Sequence, residues 1–178
     1  IQISDPSFEM NTPKTKIELI QKRFISGFKI KSNEDRILMW ESGLAVIKDH
    51  FWIGIGYDND EEIIPSYREN ISKRTGHSFF TKASTGVHNI YLQTWINYGI
   101  LGFLGFISIF VVFLIQCVRT LPQTTKYSFE NSILWAGISG VSGFLVAGFF
   151  ENNFRDGEVQ AILLIIMGLC LHQMKKLK

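Results

Sequence analysis

His88 is the first residue whose type and place invite chemistry. It stands at the head of the run His88-Asn89-Ile90-Tyr91-Leu92-Gln93-Thr94-Trp95-Ile96-Asn97-Tyr98-Gly99-Ile100-Leu101-Gly102, directly ahead of an uncharged apolar stretch. An imidazole can serve as a general base near neutral pH. It can equally be an interfacial His bonded to a backbone carbonyl, and residue type alone leaves both readings open. Arg36 is the second candidate. A guanidinium fork can grip two phosphate oxygens, or it can be a solvated first-turn Arg beside Glu34 and Asp35. Glu151, Arg155, Asp156 and Glu158 follow an apolar stretch and can orient a base or bind a sugar hydroxyl. Their plain alternative is a solvated turn between two helices.

Other chemistries find less support. His50, His77, His88 and His172 have no short ligand spacing among themselves, so no metal site is expected. Gly54-Ile55-Gly56 lacks the third glycine of a dinucleotide fingerprint. Gly43, Ser84 and Gly86 form no nucleophile elbow. The net charge of +2 is small, and no Lys or Arg cluster occurs in residues 1–95, which argues against a nucleic-acid partner.

The elements that must position these residues fall into two halves. Residues 1–95 are mixed and charged, whereas residues 99–174 are mostly apolar. In the first half, Ile17, Leu19, Ile20, Phe24 and Ile25 suggest one modest helix in a loop. A better helix is predicted over 34–49, capped by Ser32 or Asn33, with Ile37, Trp40, Leu44 and Ile47 as its apolar face. Residues 58–86 read as a polar surface loop with a short helix, and 88–98 as a helix with Trp95 and Tyr98 at interfacial depth.

Three membrane spans are predicted, at about 99–118, 132–150 and 159–174. Ser139, Gly143 and Ala147 make a small-residue stripe that would let another helix approach. Cys117 and Cys170 lie in apolar segments and are expected to stay unpaired. Arg119, Lys126 and the lysines of the tail place those ends in the cytoplasm, which puts residues 1–95 and the 151–158 turn together outside. The expected fold class is an all-α integral membrane protein: about three transmembrane helices in 96–178 and an extracytoplasmic helical loop region in 1–95. The chain opens at Ile1 with no signal peptide in view, so it is read as part of a larger polytopic bundle.

Two blocks carry a resemblance. His88-Asn89, nine residues, then Gly99-Ile100-Leu101-Gly102 is similar to the signature of the O-antigen ligase-like family. Arg36, three residues, Trp40, an apolar helix and then Gly54-Ile55-Gly56 resembles that family's periplasmic-loop segment. The resemblance implies a polytopic enzyme of the bacterial inner membrane with its active site on the periplasmic face. Such enzymes move a glycan from an undecaprenyl-pyrophosphate carrier to an acceptor, lipid A-core or another glycan, without a metal or other cofactor. It implies His88 as base, Arg36 facing the pyrophosphate, and Asn89 and Trp40 as substrate-binding positions. Glu151 or Asp156 would match a further acidic position, and Arg23 an earlier Arg. A repeat-unit polymerase of the same family fits equally well. A transport subunit would need ionisable residues at mid-span, and the charges here sit at span ends.

Overall fold

The computed structural model describes residues 31–76 and 86–177, and side chains from Asp35 onward. Arg23, His77 and the modest helix expected around 17–25 lie outside the described residues. Among the described residues there are five α-helices and no strand: α1 (Lys31–Asp49), α2 (Asp60–Thr75), α3 (Ile90–Thr120), α4 (Phe129–Ala147) and α5 (Gly157–Lys176). Residues from Arg36 on form one compact unit; those before it belong to another.

α1 starts at Lys31, so Ser32 and Asn33 fall inside its first turn rather than at its cap. Its buried face differs from the expected one. Met39, Ser42, Val46 and Ile47 are buried, whereas Ile37 and Leu44 are more than half exposed. The stripe is thus rotated round the helix, because Gly43 leaves room for Val87 and Ile96 to press against the backbone. α2 is longer than the short helix expected. Asp60, Glu61 and Glu62 face the positive end of its dipole and Lys73 and Arg74 the negative end. Gly76 closes it in the left-handed conformation, donating its N–H to the Ser72 carbonyl. Val46, Ile47, Ile55, Ile64, Val87 and Ile96 form one small core, with Trp40, Tyr67 and Trp95 packed against it.

The two glycine motifs turn out to be halves of one backbone clasp. Gly99 sits at φ 67°, ψ −173° inside α3, a conformation essentially confined to glycine, and kinks the helix there. The kink frees polar groups, and the 51–56 segment takes them up. Ile55 N–H donates to the Ile96 carbonyl at 2.8 Å, Gly56 N–H to Asn97 at 2.9 Å, and Ile100 N–H to Phe51 at 2.9 Å. The backbones come so close that a Cβ on Gly99 would collide with the Trp52 carbonyl, and one on Gly54 with Ile96 and Gly99.

Beyond the kink, α3, α4 and α5 pack as an up-down-up bundle. Phe110, Phe113, Cys117, Leu134, Val141, Phe144, Leu163, Met167 and Cys170 fill its core. Gly137 lets the Cys170 thiol sit against α4, where it donates to the Ile133 carbonyl. Both cysteines are free and buried. The close approach therefore falls at Gly137, while Ser139 and Gly143 of the expected stripe are exposed.

Three spans were expected, and among the described residues two helices are long and apolar enough to cross a membrane: Ile90–Gln123 and Gly157–Lys176. α4, Phe129–Ala147, is not one of the two; it carries Glu130 and Asn131 in its first turn. The most apolar windows of the two spans are only 17% and 28% buried. A soluble core helix would be mostly covered, so these surfaces suit lipid.

Candidate active site

The end of α4 and the start of α3 are stapled together, and this is what assembles the site. The last carbonyls of any helix lack partners within it. Here Ile90 N–H donates to Gly148 O at 2.8 Å, the Asn89 side-chain amide to Phe149 O at 3.2 Å and the Tyr91 hydroxyl to Leu145 O at 2.5 Å. Asn89 also caps α3, its Oδ1 accepting from Tyr91 N–H and Leu92 N–H, both at 3.0 Å. His88, just before the cap, and Glu151, just after α4, are thereby brought face to face.

Glu151 joins two of the expected residues. Its Oε1 accepts from Arg36 Nη2 at 2.9 Å, and its Oε2 lies 3.1 Å from His88 Nδ1. Arg36 reaches it from the first part of α1. The three side chains are 33%, 36% and 49% exposed for Arg36, His88 and Glu151, so the group is open to a ligand. A partly exposed pair of this kind typically adds only about 0–1 kcal/mol to stability. His88 sits at φ 47°, in the left-handed region that a non-glycine residue seldom adopts. A carboxylate can only accept, so Nδ1 carries the hydrogen in this contact, and in the neutral imidazole of that tautomer Nε2 is the basic nitrogen.

The segment leading to His88 is tied from α2. Buried Arg68 donates to the Gly86 carbonyl at 3.0 Å, and burial lowers the pKa of its guanidinium. Trp40, one turn beyond Arg36, holds its buried indole N–H without a hydrogen-bond partner among the described residues.

The family model described as O-antigen ligase matches residues 10–107, more than half of the 178 residues. The chain belongs to the O-antigen ligase family. The matched range holds Arg36, Trp40, both halves of the glycine clasp, His88 and Asn89, but not Glu151. No curated protein and no solved structure matches the chain. With the two apolar helices, membership identifies a membrane protein of a family that acts on lipid-linked glycans.

The remaining expected residues stand apart from the Arg36–Glu151–His88 group. Asp156 is exposed at the N-terminus of α5 and makes no capping bond there. Asn89 has both ends of its amide bonded to backbone. Among the described residues no three His, Cys, Asp or Glu side chains could hold a metal ion.

A second cluster escaped the sequence reading. The surface loop expected over 58–86 in fact carries Asp60 fully buried, 0% exposed. Arg155 bonds Asp60 through Nη1 and Asp58 through Nη2, each at 3.0 Å, and lies 5.6 Å from the Tyr57 ring centre. Burial alone would lower its pKa; the Tyr57 hydroxyl and the two carboxylates outweigh that and push it up. Asp60 also accepts from Gln93 Nε2 at 3.4 Å, and the same Nε2 donates to Asn97 at 3.1 Å. The charge pattern of the 151–158 turn and the paired aspartates were visible in the sequence; their partnership across 95 residues was not.

Proposed function

We propose that this chain carries the catalytic face of an O-antigen ligase-type glycosyltransferase, with the reaction on the extracytoplasmic side of a bacterial inner membrane. The donor is a glycan joined through its anomeric carbon to undecaprenyl pyrophosphate. The acceptor is a hydroxyl of lipid A-core or of another glycan. The observation that carries this reading is one carboxylate, Glu151, bonded to both Arg36 and His88.

The roles follow from geometry. Glu151 orients the imidazole through Nδ1, and Nε2 takes the proton from the acceptor hydroxyl as its oxygen attacks the anomeric carbon. The bond from that carbon to the pyrophosphate breaks, and its electron pair goes to phosphate oxygen. Arg36 neutralises the growing charge with the N–H groups that Glu151 leaves free. Attack opposite the leaving group inverts the anomeric configuration. Trp40 offers an unpaired N–H beside Arg36, suited to a phosphate or hydroxyl oxygen. Asn89 acts through the cap that sets His88, and Asp156 stands at the rim of the same connector.

The test is the complete enzyme in its cell with His88→Ala. Lipid-linked donor and unglycosylated acceptor should both accumulate while protein abundance is unchanged. Normal glycan transfer by that variant would remove His88 from the mechanism.

A further inference from the structure

A cleft of about 440 Å³ opens beside Arg155, between the outer arm of α3 and the connector from α4 to α5. It falls within the range of about 300–1,000 Å³ usual for small-molecule sites. Its walls combine three kinds of surface. Tyr57 and Tyr98 present rings 8° from parallel with centres 6.4 Å apart. Asn97 and Asn152 offer amide groups, and Asn97 is only 5% exposed. Phe106 and Ile109 continue the lining down α3.

We propose that this cleft is a saccharide subsite selective for neutral sugar rings. The inference rests on the transferase reading and adds where the glycan lies and which glycans fit. A sugar ring has an apolar C–H face that lies flat on an aromatic ring, and a rim of hydroxyls that amides bond as donors and acceptors. The cleft supplies both. Its charge decides the class of sugar. One guanidinium, Arg155, stands against two carboxylates, Asp58 and Asp60, so the cluster has no positive charge to spare. A pyrophosphate or a uronic acid is repelled here and a neutral ring is not. The Arg36 group has one carboxylate for one guanidinium, so the phosphate end belongs there. Glu151 faces that group and the next residue, Asn152, lines the cleft. The connector thus separates a leaving-group side from a glycan side.

The test uses the full chain in detergent and saturation-transfer NMR with two probes of equal length, maltotriose and trigalacturonate. Maltotriose should receive saturation on its ring protons, and trigalacturonate several-fold less. Tyr98→Ala should weaken the maltotriose signal about two- to tenfold, as expected for one lost ring contact. Asp58→Asn should bring trigalacturonate up toward maltotriose. Asn152→Ala, on the exposed connector, gives a second loss of signal that does not depend on removing an aromatic ring. The proposal falls if native protein gives no maltotriose signal, if trigalacturonate is bound as well, or if Tyr98→Ala and Asn152→Ala leave the signal intact. Farnesyl phosphate displacing maltotriose from the cleft would also overturn it, making this a lipid groove. His88→Ala should keep the maltotriose signal and lose transfer. Normal transfer with a normal signal would sink the base assignment and leave the subsite standing.

Discussion

His88, Arg36 and Glu151 meet through contacts that contribute little to folding, and this makes their roles separable from stability. Loss of a general base typically lowers the rate about a hundredfold to ten-thousandfold, and His88→Ala should fall in that range. Glu151→Gln keeps the size of the side chain and removes its charge, so it should retain the fold and reduce transfer. Arg36→Ala should change unfolding stability by less than about 1 kcal/mol, as for other partly exposed ion pairs. Arg155→Ala should behave differently. It strands the fully buried Asp60 carboxylate without its cation, a loss that typically costs about 3–5 kcal/mol. Denaturant titration of the two variants side by side checks the contrast, and equal losses would mean that the two ion pairs share one environment. His88 and Arg36 were legible in the sequence because they sit in recognisable blocks. Arg155 was a candidate for orienting a base or binding a sugar hydroxyl, but its pairing was not legible, because that depends on Asp60 being buried, and an Asp in an acidic run reads as solvated.

At the scale of elements, the clasp between 51–56 and Gly99 is the feature that sets α3 in place. Gly99→Ala places a side chain in a backbone conformation that costs about 1–3 kcal/mol, and drives its Cβ into the Trp52 carbonyl. The variant should therefore lose stability by more than that range, read as a lower melting temperature and faster hydrogen exchange at Ile55 and Gly56. Exchange unchanged at those two amides would show that the clasp is dispensable. Asn89→Ala removes an N-cap, a change worth about 0.5–2 kcal/mol, and also frees Phe149, so transfer should fall along with stability. Helix existence was readable from periodicity and charge. The face of α1 was not. Ile37, Trp40, Leu44 and Ile47 have helical spacing, but the true contact runs over Ser42 and Gly43, whose small size admits Val87 and Ile96. Small residues carry no hydrophobic signal, yet they allow the closest packing.

For the whole molecule, Arg119 at the end of α3 and Lys175 and Lys176 at the end of α5 share one end of the bundle and the Arg36–Glu151–His88 group lies at the other. The Glu130 carboxyl is held below its usual range by its own backbone N–H and the Ser128 hydroxyl, with a smaller part from Lys176 across that end. Impermeant thiol labelling in intact cells should therefore modify Tyr57→Cys from outside and spare Tyr127→Cys. Both native thiols are buried and should give little background. The reverse pattern would invert the topology and end the extracytoplasmic proposal.

The sequence alone determined the helical character of the described residues, the apolar helices suited to a membrane, and the family. Those depend on composition, local periodicity and short motifs, each read within a few turns of chain. Only the tertiary structure decided that Glu151, 63 residues from His88, is its partner, and that Gly54 and Gly99 are two sides of one contact. Pairings of that kind arise when separate segments supply each other's missing hydrogen bonds, and no local pattern records which carbonyl a distant donor will find.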